Sequence, residues 1–202
     1  MVKNWNEKEL IYLCNTDFLL TKQEITKNII TSLSDVLSAL EETTAPFQNS
    51  LKAEYLKKNK KISKGENYLG LPYYVLDYPG HFKKEEIFAF RIMIWWGNEI
   101  SFTLHLGGTV KSKFEQILQT KKSEIDHYCI CVNDLPWTYH FNESNYLLIK
   151  DLSDIKYSEI LKGKSFIKIS TRLDIQEIGN IKEHAVKHLS QFLHVLFEID
   201  QK

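Results

Sequence analysis

Residues 87–106 read Ile87-Phe88-Ala89-Phe90-Arg91-Ile92-Met93-Ile94-Trp95-Trp96-Gly97-Asn98-Glu99-Ile100-Ser101-Phe102-Thr103-Leu104-His105-Leu106. Apolar side chains recur at every second position on both sides of Gly97-Asn98, the pattern of two strands joined by a tight turn. A two-residue turn at Gly97-Asn98 would set Ile94 opposite Ser101 and Ile92 opposite Thr103, mixing apolar and polar side chains on both faces. A three-residue turn over 97–99 sorts them. Phe88, Phe90, Ile92, Ile94 and Trp96 then share a face with Ile100, Phe102, Leu104 and Leu106, and burial of one face is what sets strand register. The expected second face carries Arg91 across from His105, Met93 across from Thr103, and Trp95 across from Ser101.

Upstream of this hairpin, residues 71–78 read as a strand stopped by Pro79-Gly80. Residues 6–15 suit a short helix, and Thr21-Lys22-Gln23-Glu24 matches a capping box that opens a long one. Its apolar stripe is Ile25, Ile29, Leu33, Val36, Leu37 and Leu40, and Ala45-Pro46 ends it. Between 51 and 70 the periodicity fades. Lys52, Lys57, Lys58, Lys60, Lys61 and Lys64 gather there against Glu54, as in a solvated loop or frayed helix.

Downstream, Gly107-Gly108 breaks the strand and residues 111–120 suggest a helix with Phe114, Ile117 and Leu118 inward. Short strands are expected at 128–132, 137–141 and 146–149, separated by Asn133-Asp134-Leu135-Pro136 and by residues 142–145. A helix at 153–161, a strand at 166–171 and a closing helix from Asn180-Ile181-Lys182-Glu183 to about Glu198 complete the chain. The closing stripe is Ile181, Ala185, Leu189, Phe192, Leu193 and Leu196. This order predicts one α+β domain over 1–202: a mainly antiparallel sheet covered by helices, with long amphipathic helices at both ends.

The composition is that of a globular protein, with 43% hydrophobic and 26% charged residues, which disfavours disorder and a disulfide scaffold. Lys plus Arg equals Asp plus Glu at 26 each, so nucleic acid and anionic lipid are disfavoured as partners of the whole surface. The first fifteen residues mix Lys3, Glu7, Lys8 and Glu9 with apolar ones, unlike an export signal, and Arg91 and Gly97-Asn98-Glu99 interrupt the most hydrophobic stretch. With three unpaired cysteines, Cys14, Cys129 and Cys131, the expectation is a cytoplasmic protein without a membrane span.

The layout resembles the YktB-like family of uncharacterised bacterial proteins. The resemblance is carried by Phe90-Arg91-Ile92-Met93-Ile94-Trp95-Trp96, Phe102-Thr103-Leu104-His105-Leu106 and Lys113-Phe114-Glu115-Gln116-Ile117-Leu118, between an amphipathic N-terminal helix and a closing helix. The basic, histidine-containing segment associated with that family ahead of the hairpin is missing. The resemblance implies the α+β fold and no activity, so no functional residue is carried over.

Among candidate sites the second face of the hairpin comes first. Arg91, in an otherwise apolar strand, needs water, a carboxylate such as Asp77, or a ligand anion. Met93 and Trp95 can wall a small-molecule pocket while Ser101, Thr103 and His105 orient its occupant. The expected function is a binding or regulatory protein for a small anionic ligand. An enzyme using His105 or His81 as general acid or base is the alternative, and an interaction module with a homodimer or partner interface on the aromatic hairpin or a helix face is a third class. Whether it is an enzyme is left open.

Weaker constellations are Tyr73, Tyr74, Asp77, Tyr78 and His81; the helical pair His184 and His188; Cys129-Ile130-Cys131, whose spacing fits neither a zinc knuckle nor a redox motif; and the lysine run with Tyr55 and Tyr68. No phosphate loop, nucleophile elbow or dinucleotide fingerprint is present, so no cofactor or metal is expected.

Overall fold

In the computed structural model, which describes residues 4–57 and 62–197, alternating apolar segments assemble into one seven-stranded antiparallel sheet. Its strands are β1 (Ile62–Tyr68), β2 (Leu71–Lys83), β3 (Glu86–Trp95), β4 (Glu99–Gly108), β5 (Cys129–Cys131), β6 (Tyr146–Leu148) and β7 (Phe166–Asp174), in the order 1-2-3-4-7-5-6. The helices are α1 (Glu7–Cys14), α2 (Thr16–Thr44), α3 (Ala53–Lys57), α4 (Thr109–Thr120), α5 (Asp154–Lys162) and α6 (Ile181–Leu196). This is the α+β architecture expected, with amphipathic α2 and α6 packed on each other and on the sheet.

The apolar face of the hairpin is the core. Phe88, Phe90, Ile92, Ile94, Ile100, Phe102, Leu104 and Leu106 are all buried against Leu33, Val36 and Leu40 of α2, Phe114 and Leu118 of α4, and Leu189, Phe192 and Leu193 of α6. At about 1.5–3 kcal/mol for each buried large apolar side chain, this face dominates the stabilisation of the fold.

The hairpin register differs from the expected one by one pair on each strand, while the faces stand. Arg91 lies across from Thr103, Met93 from Ser101, and Ala89 from His105. The three-residue loop is 96–98 rather than 97–99. Asn98 N–H donates to Trp95 O, and Gly97 takes the turn position that needs positive φ, at 70°. Sliding by two residues preserves the sorting of the faces, so periodicity alone could not separate the two registers.

Several boundaries also move. The long helix starts at Thr16, not Thr21, because the Asn15 side chain already accepts from Phe18 N–H; the capping box is at Asn6 and Glu9. Asn180 makes no side-chain cap, since a 3-10 turn over Ile175–Asn180 leads directly into α6. β2 passes Pro79-Gly80 by a bulge and continues to Lys83. Residues 62–68, expected as loop, form the edge strand β1, whose polar sequence suits a sheet edge. Residues 137–141, expected as a strand, lie instead in an irregular loop. Lys58, Lys60, Lys61 and Glu198 lie outside the described residues.

Candidate ligand cleft on the second face of the sheet

Alternation sends every second side chain of β2, β3, β4, β7 and β5 to the face away from the helices. There stand Asp77, Arg91, Met93, Trp95, Ser101, Thr103, His105, Lys168, Ser170 and Cys131, most of them buried. The cover is the loop 132–145, which lays Trp137, Tyr139 and Phe141 over the sheet. Its backbone is tied down at several points. Tyr139 N–H donates to Tyr68 Oη at 2.7 Å and Phe141 N–H to Glu99 Oε1 at 3.1 Å. The buried Asn145 amide donates to His140 O at 2.5 Å, and Lys164 bonds Val132 O and Asp134.

The six residues expected at a ligand site do share this face, and their partners divide them. The Arg91 guanidinium grips Asp77 with two parallel bonds of 2.7 and 2.9 Å and stacks 4.6 Å above the Tyr139 ring. Burial works against its charge, and the Asp77 carboxylate more than offsets that, so its pKa stands above the ordinary value. Arg91 thus has its counter-anion within the chain. Trp95 donates its indole N–H to Tyr68 O, Met93 packs with Val75 and Tyr139, and Thr103 hydrogen-bonds Ser170, which donates to Phe102 O. Ser101 is buried beside them.

His105 is different. It is fully buried, and its Nδ1 meets Tyr139 Oη at 3.1 Å, while Nε2 has no hydrogen-bond partner among the described residues. Burial first, then the charges of Lys168 and Arg91, lower its pKa to about 3, so the ring is neutral at physiological pH. Burial raises the pKa of the Tyr139 phenol, which keeps its proton, so one neutral hydrogen bond joins it to Nδ1. Where the hydroxyl donates, the imidazole proton sits on Nε2; in the reverse tautomer Nε2 is a bare acceptor.

Around that ring stand Trp137, Phe166 and Phe82, at centroid distances of 5.6, 5.7 and 6.5 Å. The same three aromatics wall a cleft of about 480 Å³, completed by the β2–β3 turn at Lys83, Lys84 and Glu85, the strand end at Gly107-Gly108, and Pro136 and Ser165. Gly108 is required there: its φ is 58°, and a Cβ would lie 2.2 Å from Glu85 O. Lys168 approaches from β7, directly across from His105. Its ammonium is buried over the rings of Tyr139, Tyr146 and Phe166 and bonds Thr138 O; burial lowers its pKa to about 8. No carboxylate is among these contacts, so the Lys168 charge lies behind the Phe166 wall of the cleft without an acidic partner.

Phe82, Trp137, Tyr139, Phe166 and Lys168 were not singled out in the sequence. A lysine alternating with Ile167 and Ile169 looks solvent-facing, and the loop that covers it has no period to read.

The other constellations separate. Asp77 serves Arg91, whereas His81 lies on the helix-covered face and bonds Glu86 at 3.0 Å. Glu54, His81 and Glu86 place ligand atoms within 4.8 Å of one another, as a cation site would. Yet Lys52 already meets both carboxylates and Lys83 pairs with Glu54, and hydrogen bonding to Lys52 first among the causes holds Glu86 at about 2. The cluster is a self-neutralised ion network. His188 is a core residue: it meets Tyr128 Oη at 2.8 Å, packs on Phe102, and burial lowers its pKa to about 4. Cys14, Cys129 and Cys131 are free thiols, and among the described residues no helix is long and apolar enough to cross a membrane.

No protein-family model matches the chain, and no curated protein is similar to it.

Proposed function

We propose that this chain is a small-molecule binding or regulatory protein whose ligand carries an anionic group, seated in the cleft of Phe82, Trp137 and Phe166, where a turn of the wall's side chains brings an oxygen to His105 Nε2, an atom closed off from the cleft in this structure. The observation that carries this reading is the buried, unpartnered Nε2 beside those rings, since buried polar atoms are normally satisfied and exceptions call for an explanation. The Lys168 charge, which has no carboxylate partner, favours an anion; at the rim Lys83 is paired with Glu54 and Lys84 stands beside Glu85. The volume suits a metabolite-sized molecule, and aromatic walls with a few convergent polar groups are the usual make-up of such sites. Compared with the expectation from sequence, the ligand's partner moves from Arg91 to His105 and Lys168. Free thiols and the balanced charge favour a cytoplasmic setting.

Geometry favours binding over general acid–base catalysis. An imidazole kept neutral down to about pH 3 is a hydrogen-bonding group rather than a proton shuttle near pH 7, and His81 stands on the opposite face.

The test is thermal unfolding with inorganic phosphate, nucleotides and small mono-, di- and tricarboxylates. A ligand at about a hundred times its Kd adds about 2.7 kcal/mol, or roughly 5–10 °C for a chain of this size. At least one anion should raise the Tm of the native chain and leave His105→Phe unchanged, with Lys168→Met responding weakly. A panel that moves nothing, or a His105→Phe variant that responds like the native chain, would refute the reading.

A further inference from the structure

The apolar stripe of α2 extends beyond the body it packs on. Ile29, Leu33, Val36 and Leu40 are buried, and Phe18 and Ile25 fall on the same side of the helix at the 3.6-residue period, yet both are exposed. From Ile29 back to Phe18 the stripe runs about 16 Å, and there the sheet reaches the helix through Lys22–Glu66 and Tyr74–Thr26 while Phe18 and Ile25 stay exposed. Leu19 flanks it. α1 adds Ile11 and Leu13, each more than half exposed, and none of its eight residues is buried. The two helices meet at Asn15, which caps one and ends the other, and Tyr12 packs edge-on against Phe18 at 5.6 Å. An eight-residue helix is well below the about 12–15 residues an isolated helix needs in water, so α1 requires a surface that the rest of the chain does not supply.

We propose that this surface is the same arm of a second copy, so that α1 and the first half of α2 form a symmetric dimer interface. Two further observations select a copy of the chain over other occupants. The arm carries Glu7, Lys8, Glu9, Asp17, Lys22, Glu24 and Lys27, a mixture of signs that can match itself in an isologous contact, where residue i meets j and j meets i. Helices that lie on membranes are instead rich in Lys and Arg on their polar face. The second observation is area. The chain exposes 11,783 Å², whereas a compact monomer of 23.7 kDa exposes about 9,800 Å². The excess, about 2,000 Å², is spread over the whole chain and leaves room for the about 800 Å² per partner that a standard interface takes. The inference is independent of the cleft, which lies on the opposite side of the sheet from α2.

Sedimentation equilibrium of the full chain from 1 to 100 μM, with vesicles of phosphatidylglycerol and phosphatidylcholine as a second probe, decides it. The expected result is a species of twice 23.7 kDa that leaves the vesicles unbound. Ile11→Glu and Phe18→Glu, both at exposed positions, should each weaken the dimer at least 100-fold while circular dichroism and Tm show the fold retained. Ile155→Glu, at a position 75% exposed on α5, should leave it unchanged. A monomer at every concentration, a monomer that sediments with vesicles, a dimer that survives both arm substitutions, or one that Ile155→Glu dissociates equally would each overturn the proposal.

Discussion

The half-buried Arg91 and the fully buried Lys168 are two cations on the same face of the sheet, and they are held in different ways. Arg91 has a bidentate carboxylate, so removing that carboxylate strands a charge. Asp77→Asn should cost about 3 kcal/mol, while the paired replacement Arg91→Leu with Asp77→Leu should recover most of it, because desolvating an ion pair roughly cancels its attraction. Urea unfolding of the single and double variants checks this; equal losses in both would show that Arg91 contributes through packing rather than through its pairing. Lys168 has a backbone carbonyl and aromatic faces but no carboxylate. Arg91 was legible from sequence as a charge in need of a partner, and Asp77 was among the partners weighed. His105 was legible as a member of the face. That its Nε2 would be the atom left over was not, because this depends on where Tyr139 falls.

At the scale of elements, the hairpin was readable because one buried face imposes a period of two, and α2 and α6 because one buried stripe imposes a period of 3.6. Loop 132–145 obeys neither period. Trp137-Thr138-Tyr139-His140-Phe141 alternates as a strand would, yet its N–H groups are taken by Tyr68 and Glu99 side chains in place of a neighbouring strand. Asn145 is the internal pin of this loop, with its amide on Thr138 O and His140 O. Asn145→Ala leaves the His140 carbonyl without its donor, while Lys168 still serves Thr138 O, and should cost about 2 kcal/mol. Amide exchange should then speed up across 137–141 far more than in β3 and β4. A uniform rise through the sheet would mean that the loop and the sheet open as one unit.

For the whole molecule, the buried histidines fix the response to acid. His105 and His188 have folded pKa values of about 3 and 4, against an ordinary value near 6.5. As pH falls below 6.5 the unfolded chain takes up these protons first, so stability is full above 6.5 and declines through 5 toward 4. Lys168 acts at the other end: its folded pKa of about 8 makes stability rise as pH climbs from 8 to 10.5. Unfolding free energies from pH 4 to 10 should show the acid decline reduced in His105→Phe; an unchanged acid limb would place the linkage elsewhere.

Native mass spectrometry of freshly purified protein against the same sample denatured reads whether a ligand occupies the cleft walled by Phe82, Trp137 and Phe166. Extra mass is expected on the folded chain, lost on denaturation, restored by the anion that raises the Tm, and absent from His105→Phe. A folded chain at its bare sequence mass that takes up none of the anions offered would overturn the reading.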